Sequence, residues 1–171
     1  HEEIKSHGDD FHSVSFTGGE PLLQTDFLRE VMKLNVQAGR GNYLETNGTL
    51  AQELKDIVNF VDIIAMDIKL PSVTGEKSFW KEHLKFLKVA RNKNIFIKAI
   101  VSDRLKIKDF KKALFLIKRI NKKIPFVIQP VMEGKTIKVG KDRLNNLQCY
   151  ALRFLENVHV IPQMHKILEI K

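Results

Sequence analysis

Short runs rich in β-branched and aromatic residues alternate along this chain with longer stretches in which apolar residues return every third or fourth position. The short runs predict strands over Ser13 to Thr17, Tyr43 to Glu45, Ile63 to Asp67, Ile95 to Val101, Phe126 to Pro130 and Val158 to Ile161. The longer stretches predict helices. Thr25 to Ala38 carries Phe27, Val31 and Leu34 as an apolar stripe with Gly39 as its stop, and Ala51 to Phe60 carries Leu54, Ile57 and Val58. Lys77 to Arg91 offers Trp80, Leu84, Phe86 and Leu87 to a core, Asp109 to Lys122 offers Phe110, Ala113, Leu114, Ile117 and Ile120, and Lys141 to Glu156 offers Leu144, Leu147, Tyr150, Ala151 and Phe154. Strand followed by helix, repeated, is the signature of parallel βα units, so the expected class is α/β, an open sheet or part of a barrel. In both architectures ligands collect at the carboxyl ends of the strands.

Composition narrows the class further. The 171 residues, 43% hydrophobic and 29% charged, suit a single globular domain over 1–171, with enough chain to build its own core. No run of about 18 apolar residues occurs and the first residues lack a signal peptide's pattern, so neither membrane insertion nor secretion is indicated and the expected location is cytoplasmic. The net charge of +9 is concentrated between Lys77 and Lys123, at Lys81, Lys85, Lys88, Arg91, Lys108, Lys111, Lys112, Lys118, Arg119, Lys122 and Lys123. These cations alternate with apolar positions at helical spacing, which favours solvated helix faces over a nucleic-acid surface, and no interleaved aromatics supply base-stacking platforms. The single cysteine, Cys149, excludes a disulfide scaffold, a zinc finger and an all-cysteine iron-sulfur site built by this chain alone. Beside Leu147 and Tyr150 it reads as a small buried hydrophobe.

The strand ends are where the chemistry-bearing residues gather. Thr17-Gly18-Gly19-Glu20-Pro21 follows the first strand: the glycines admit a ligand to bare backbone, Pro21 suits a first helical turn, and the Glu20 carboxylate or nearby carbonyls suit an ammonium group. Glu45-Thr46-Asn47-Gly48-Thr49 follows the second, either a polar site or a turn whose Thr49 caps the next helix. Met66-Asp67-Ile68-Lys69 ends the third, with Asp67 and Lys69 on one face as a structural pair or as ligand contacts. Lys98 lies inside the fourth, either snorkelling to an edge or entering a polar site. Gln129-Pro130 ends the fifth, and Pro162-Gln163-Met164-His165-Lys166 follows the last.

In order and spacing, SFTGGEPLLQ, LETNGTL, MDIKLPS, IQP and PQMHK together resemble the radical S-adenosylmethionine superfamily, and within it the 7-carboxy-7-deazaguanine synthase branch, over essentially the whole chain. The resemblance implies a partial TIM-like (β/α)6 barrel. It implies S-adenosylmethionine contacts at Gly18, Gly19, Glu20, Asp67, Ile68, Lys69, Gln129 and Pro130, and substrate contacts at Thr17, Glu45, Gln163, His165 and, through the terminal carboxylate, Lys171. The implied cofactors are S-adenosylmethionine, a 4Fe-4S cluster and Mg2+. The implied reaction converts 6-carboxy-5,6,7,8-tetrahydropterin to 7-carboxy-7-deazaguanine, by hydrogen abstraction at C6, ring contraction and loss of ammonia. An external donor such as flavodoxin or ferredoxin would supply electrons, and a homodimer would cover exposed sheet edges.

The superfamily holds its cluster with a CxxxCxxC loop, which this chain lacks, and the magnesium-holding threonine of the branch belongs to that same loop. No metal ligand is therefore expected within this chain. The non-methionine start leads to the expectation that the first βα unit, with the loop, is absent, and that the chain alone is inactive. The terminal Glu169-Ile170-Lys171 also departs from the branch's Gly-Ile-Pro-like ending. The rival readings are a different radical activating enzyme, a degenerate cluster-free module that binds S-adenosylmethionine or pterin, and a basic nucleic-acid-binding domain.

Overall fold

A computed structural model of the chain describes residues 11–168, apart from the side chain of His165. Six parallel strands form one sheet: β1 (Ser13–Phe16), β2 (Gly41–Thr46), β3 (Ile63–Asp67), β4 (Asn94–Val101), β5 (Phe126–Pro130) and β8 (Val158–Val160). Each strand pairs with the next in the chain, and β1 and β8 form the two edges without pairing to each other. Among the described residues the sheet is therefore open, as a partial barrel requires. Between strands run α1 (Thr25–Gln37), α2 (Ala51–Ile57), a short α3 (Pro71–Thr74), α4 (Trp80–Ala90), α5 (Ile107–Ile120) and α6 (Lys141–Ala151), with α7 (Met164–Leu168) last. A two-residue hairpin, β6 (Met132–Glu133) with β7 (Thr136–Ile137), follows β5.

The period of two along each strand separates two environments. Leu44, Ile64, Met66, Ile97, Ala99, Phe126 and Ile128 are fully buried and share one core with Leu54, Ile57, Phe86, Phe110 and Leu114 of the helices. Their neighbours Tyr43, Glu45, Asp67, Phe96, Lys98, Ile100 and Gln129 point to the other face and are only half-buried. Parallel sheets are usually covered on both faces, so a partly open polar face marks the place for a ligand.

Two expectations about packing are corrected. On α1 the buried residues are Leu28, Met32 and Asn35, whereas Phe27 is 64% and Leu34 42% exposed. The apolar pattern misleads there because Asn35 occupies a core position: its Nδ2 donates to the Asn42 Oδ1 at 2.8 Å, and Asn42 Nδ2 in turn donates to the carbonyls of Met32 and Phe60. On α6 the residues turned inward are Leu144, Leu147 and Ala151, which places Cys149 on the outer side, exposed rather than buried. That helix also ends at Ala151, short of Glu156, and α4 begins at Trp80, three residues after Lys77. The cations from Lys81 to Lys123 named above are exposed, as solvated helix faces require. Aromatics do meet them in space: Lys112 lies over Trp80 and Lys111 over Tyr150, pairs that bring different helices together, and Lys118 lies over Phe154 in the turn after α6.

Candidate functional site

Beyond β1 the chain passes through Thr17, Gly18 and Gly19 in the open. Gly18 has φ +119, a conformation side chains rarely adopt, and a Cβ built on either glycine would meet nothing within 4 Å. The backbone here is bare to whatever occupies the space. Glu20 then caps the 3-10 turn Pro21–Gln24, accepting from the Leu22 N–H at 3.2 Å. Its carboxylate also accepts from the Thr46 hydroxyl and the Asn47 N–H, each at 2.8 Å. Three of the roughly four acceptor positions of a carboxylate are thereby used. The Glu20 side chain thereby ties the first strand-end loop to the second.

The second loop is held from behind as well. Asn47 Oδ1 accepts from the backbone and hydroxyl of Thr49 at 3.0 and 2.6 Å, so Thr49 closes the turn rather than capping α2, whose first turn has no side-chain cap. Gly48, at φ +67, lies so close to Met66 that a Cβ would come within 2.3 Å of its Cε. His83 of α4, fully buried, donates Nε2–H to the Asn47 carbonyl at 3.1 Å. Burial pushes its imidazole down to about 4, against the pull of that hydrogen bond and of Glu82 and Asp67, so it is neutral at neutral pH. Nothing in the motif pattern singles out His83, because it lies 36 residues from its partner and only the packing of α4 brings them together.

Two ion pairs stand on the open face. Lys69 donates to Asp67 Oδ2 at 2.7 Å, while Asp67 Oδ1 is buried with no hydrogen-bond partner in the protein. Lys98 Nζ reaches Glu45 Oε2 at 3.3 Å, from β4 to β2, across the intervening β3. The β3 residue in register with Glu45 is Ala65, small enough to leave room for that crossing. Tyr43 lies beside the same carboxylate, and burial with the adjacent Glu45 charge pushes its phenol up to about 12. Lys98 thus enters the polar site, resolving the alternative that its position in an apolar strand left open.

A cavity of about 200 Å³ brings Thr17, Gly18, Gly19, Glu45, Asp67 and Lys69 together, with Thr46, Asn47, Ala65 and Lys98 completing its wall. This is smaller than the roughly 300–1,000 Å³ that encloses a typical small ligand, so these walls fit one end of a larger molecule. Ile68 and Pro130 point into the core, Ile68 keeping only its N–H at the sheet, donated to the Lys98 carbonyl at 2.8 Å. Gln129 is on the open face beside Ile100, outside the cavity wall. Gln163, beyond β8, places its N–H against the Met132 sulfur, and Lys166 donates to the Met132 carbonyl at 2.9 Å. The His165 side chain and Lys171 lie outside the described residues.

The residues present fit a zwitterionic, amino-acid-like group: the Asp67 carboxylate, the Lys69 ammonium and two bare glycines share one cavity. It does not fit an iron-sulfur cluster. Among the described residues no group of three His, Cys, Asp or Glu side chains is placed to hold a metal ion. No helix among them is long and apolar enough to cross a membrane.

Comparison with known proteins bears on this geometry. The 7-carboxy-7-deazaguanine synthase of Geobacter sulfurreducens is 38% identical over 91% of this chain and 62% of its own length. Those of Thermococcus kodakarensis and Archaeoglobus fulgidus are 32% and 33% identical over 94% of this chain, and 64% and 67% of theirs. The chain therefore spans about two thirds of the length of these relatives. A crystallised domain of a pyruvate-formate lyase-activating enzyme from Bacteroides vulgatus superposes with a TM-score of 0.69 at 16% identity, covering 88% of this chain and 99% of that one. Archaeal TYW1 superposes with a TM-score of 0.65 at 19% identity, over 90% of this chain and 54% of that one; both establish the fold. The sequence profile of the Radical SAM superfamily matches residues 2–138, which include every wall of the cavity, and this chain belongs to that superfamily.

Proposed function

We propose that this chain carries the S-adenosylmethionine and pterin subsites of a 7-carboxy-7-deazaguanine synthase. The observation that carries the reading is the convergence, in one cavity, of three strand-end loops that are far apart in sequence: Thr17 to Gly19, Glu45 to Asn47, and Asp67 with Lys69. Kinship with curated synthases over nine tenths of the chain supports the same substrate. The methionine end of S-adenosylmethionine would lie against Gly18 and Gly19, with its ammonium at the Asp67 carboxylate and its carboxylate at Lys69. Glu20 contributes by holding the loop, while the backbone at Ile68 and the Gln129-Pro130 strand end would border the rest of the cofactor. Thr17 and Glu45 would meet the carboxylated pterin, with Gln163, His165 and Lys171 approaching from the end of the chain.

S-adenosylmethionine and its reductant supply one-electron chemistry that no side chain here possesses. The chain's own residues bind and orient: fixed loops that hold two reactants in contact geometry contribute several kcal/mol without acid-base steps. A cluster, and the Mg2+ expected beside the substrate carboxylate, would need ligands beyond the described residues. Flavodoxin or ferredoxin as electron donor, homodimerisation and a cytoplasmic location belong to the same proposal.

The test is to express the complete reading frame, reconstitute it anaerobically with iron and sulfide, and supply 6-carboxy-5,6,7,8-tetrahydropterin with S-adenosylmethionine. Formation of 7-carboxy-7-deazaguanine is expected. Cleavage of S-adenosylmethionine without that product would keep the superfamily and reject the substrate.

A further inference from the structure

A lysine and a carboxylate on the open face are arranged in a way that the superfamily motifs do not account for. Lys98 is outside every motif identified in the sequence, yet its Nζ stands in the cavity 3.3 Å from Glu45 Oε2. The pair is built rather than incidental. Ala65 clears the path between the two strands, and Tyr43, two residues before Glu45 on the same face of β2, stands beside its carboxylate. Asp67, directly opposite Lys98 in the β3–β4 register, is engaged by Lys69, so Lys98 is directed to Glu45. Both side chains remain partly accessible, at 21% and 38% exposure, and so can meet a ligand.

This inference rests on the proposed pterin reading. A 2-amino-4-oxo pteridine presents along one edge two donors, the 2-amino group and N3–H, followed by one acceptor, the 4-oxo oxygen. A carboxylate accepts from both donors at once, and the next atom along the edge then calls for a donor a few ångströms away on the N3 side. We infer that Glu45 and Lys98 together read the 2-amino-4-oxo edge of the pterin, Glu45 accepting from the 2-amino group and N3–H and Lys98 donating to the 4-oxo oxygen. The product's pyrimidinone ring carries the same edge, so the reader keeps its grip through the ring contraction. A 4-amino group in place of the 4-oxo oxygen would turn its donors towards the lysine ammonium and leave N3 without its hydrogen opposite Glu45, so Lys98 and Glu45 both act as specificity determinants.

The experiment measures equilibrium binding of two probes, 6-carboxypterin and its 2,4-diamino analogue, by quenching of pteridine fluorescence. Binding of S-adenosylmethionine is measured by calorimetry, and all measurements use the full-length protein. Lys98→Met is expected to weaken 6-carboxypterin by about ten- to a hundredfold, the loss of one hydrogen bond to a charged group. The 2,4-diamino analogue should lose less than about threefold or gain, because the lysine makes no favourable contact with it. Lys98→Arg, which keeps a donor and the charge, should restore part of the preference for the 4-oxo probe. Equal losses for both probes would overturn the inference, assigning Lys98 to scaffolding or to the carboxylate the probes share. An unchanged 6-carboxypterin affinity in Lys98→Met would overturn it as well. If the wild-type protein binds S-adenosylmethionine but neither pteridine, the substrate reading itself falls and takes the inference with it.

Discussion

Replacing Gly48 by alanine tests how tightly the loop bearing Asn47 is locked to the sheet. The substitution adds one carbon, and two separate costs follow from its position. At φ +67 the backbone is in the left-handed region, which costs a residue with a Cβ roughly 1–2 kcal/mol. The new Cβ would also stand 2.3 Å from Met66 Cε and 2.7 Å from its Cγ. Met66 is fully buried in the core, so its side chain cannot swing aside freely, and overpacking of this kind costs about 1–3 kcal/mol. The sum, about 2–5 kcal/mol, corresponds to a fall in melting temperature of roughly 4–20 °C for a domain of this size. Chemical denaturation of Gly48→Ala, Met66→Ala and the double variant separates the two costs. In the Met66→Ala background the clash is gone, so Gly48→Ala should then cost only the conformational part, a coupling of about 1–3 kcal/mol. A Gly48→Ala protein within about 0.5 kcal/mol of wild type, or the same cost in both backgrounds, would refute the reasoning.

Other perturbations probe neighbouring parts of the same scaffold. His83 ionises at about 4 when folded and near 6.5 when unfolded, so the unfolded chain binds more protons between those values. Its contribution is therefore fully present above pH 6.5 and is lost as the pH falls towards 4, up to ~3 kcal/mol in all; His83→Gln should flatten that part of the stability profile, and an unchanged slope would contradict it. Glu20→Gln removes an acceptor oxygen from the bridge to Thr46 and Asn47 and should cost about 1.5–3 kcal/mol in denaturation, with weaker S-adenosylmethionine binding because the second loop loosens. Asn42→Ala strands the carbonyls of Met32 and Phe60 and the amide of Asn35, and should lower stability by about 2–4 kcal/mol; a neutral result in a urea titration would show that water replaces the network. Asp67→Asn keeps the shape of the site but removes the charge facing the cavity, so calorimetry should show S-adenosylmethionine affinity falling about tenfold or more while the melting temperature changes little.

The alternation of strand and helix was legible in the chain because both periods are local properties of the backbone. β3 and β5 have the bounds their apolar runs predict, and the parallel sheet follows from helices of crossover length between them. The five motifs were legible for a related reason: turns, bare glycines and caps are built from neighbours in sequence, and their order identifies the superfamily. Hydropathy does not reveal the inward face of α1, because a hydrogen-bonded asparagine takes a core position that hydropathy assigns to an apolar residue. Leu147 and Tyr150 suggest burial of Cys149, but α6 turns Leu144, Leu147 and Ala151 inward and leaves Cys149 on the outer side.

Everything that depends on separated segments meeting was decided by tertiary structure. The sequence carries Glu20, Asn47, Lys98 and His83 but not their relationships: that Glu20 bridges two loops, that Lys98 crosses β3 to reach Glu45, and that α4 delivers a neutral histidine to the Asn47 carbonyl. Local propensity and periodicity determine which elements form and which residues end each strand. Which side chains then share a cavity, pair their charges or lose their protons is set by strand register and helix packing across tens of residues, where distance and burial govern the energies.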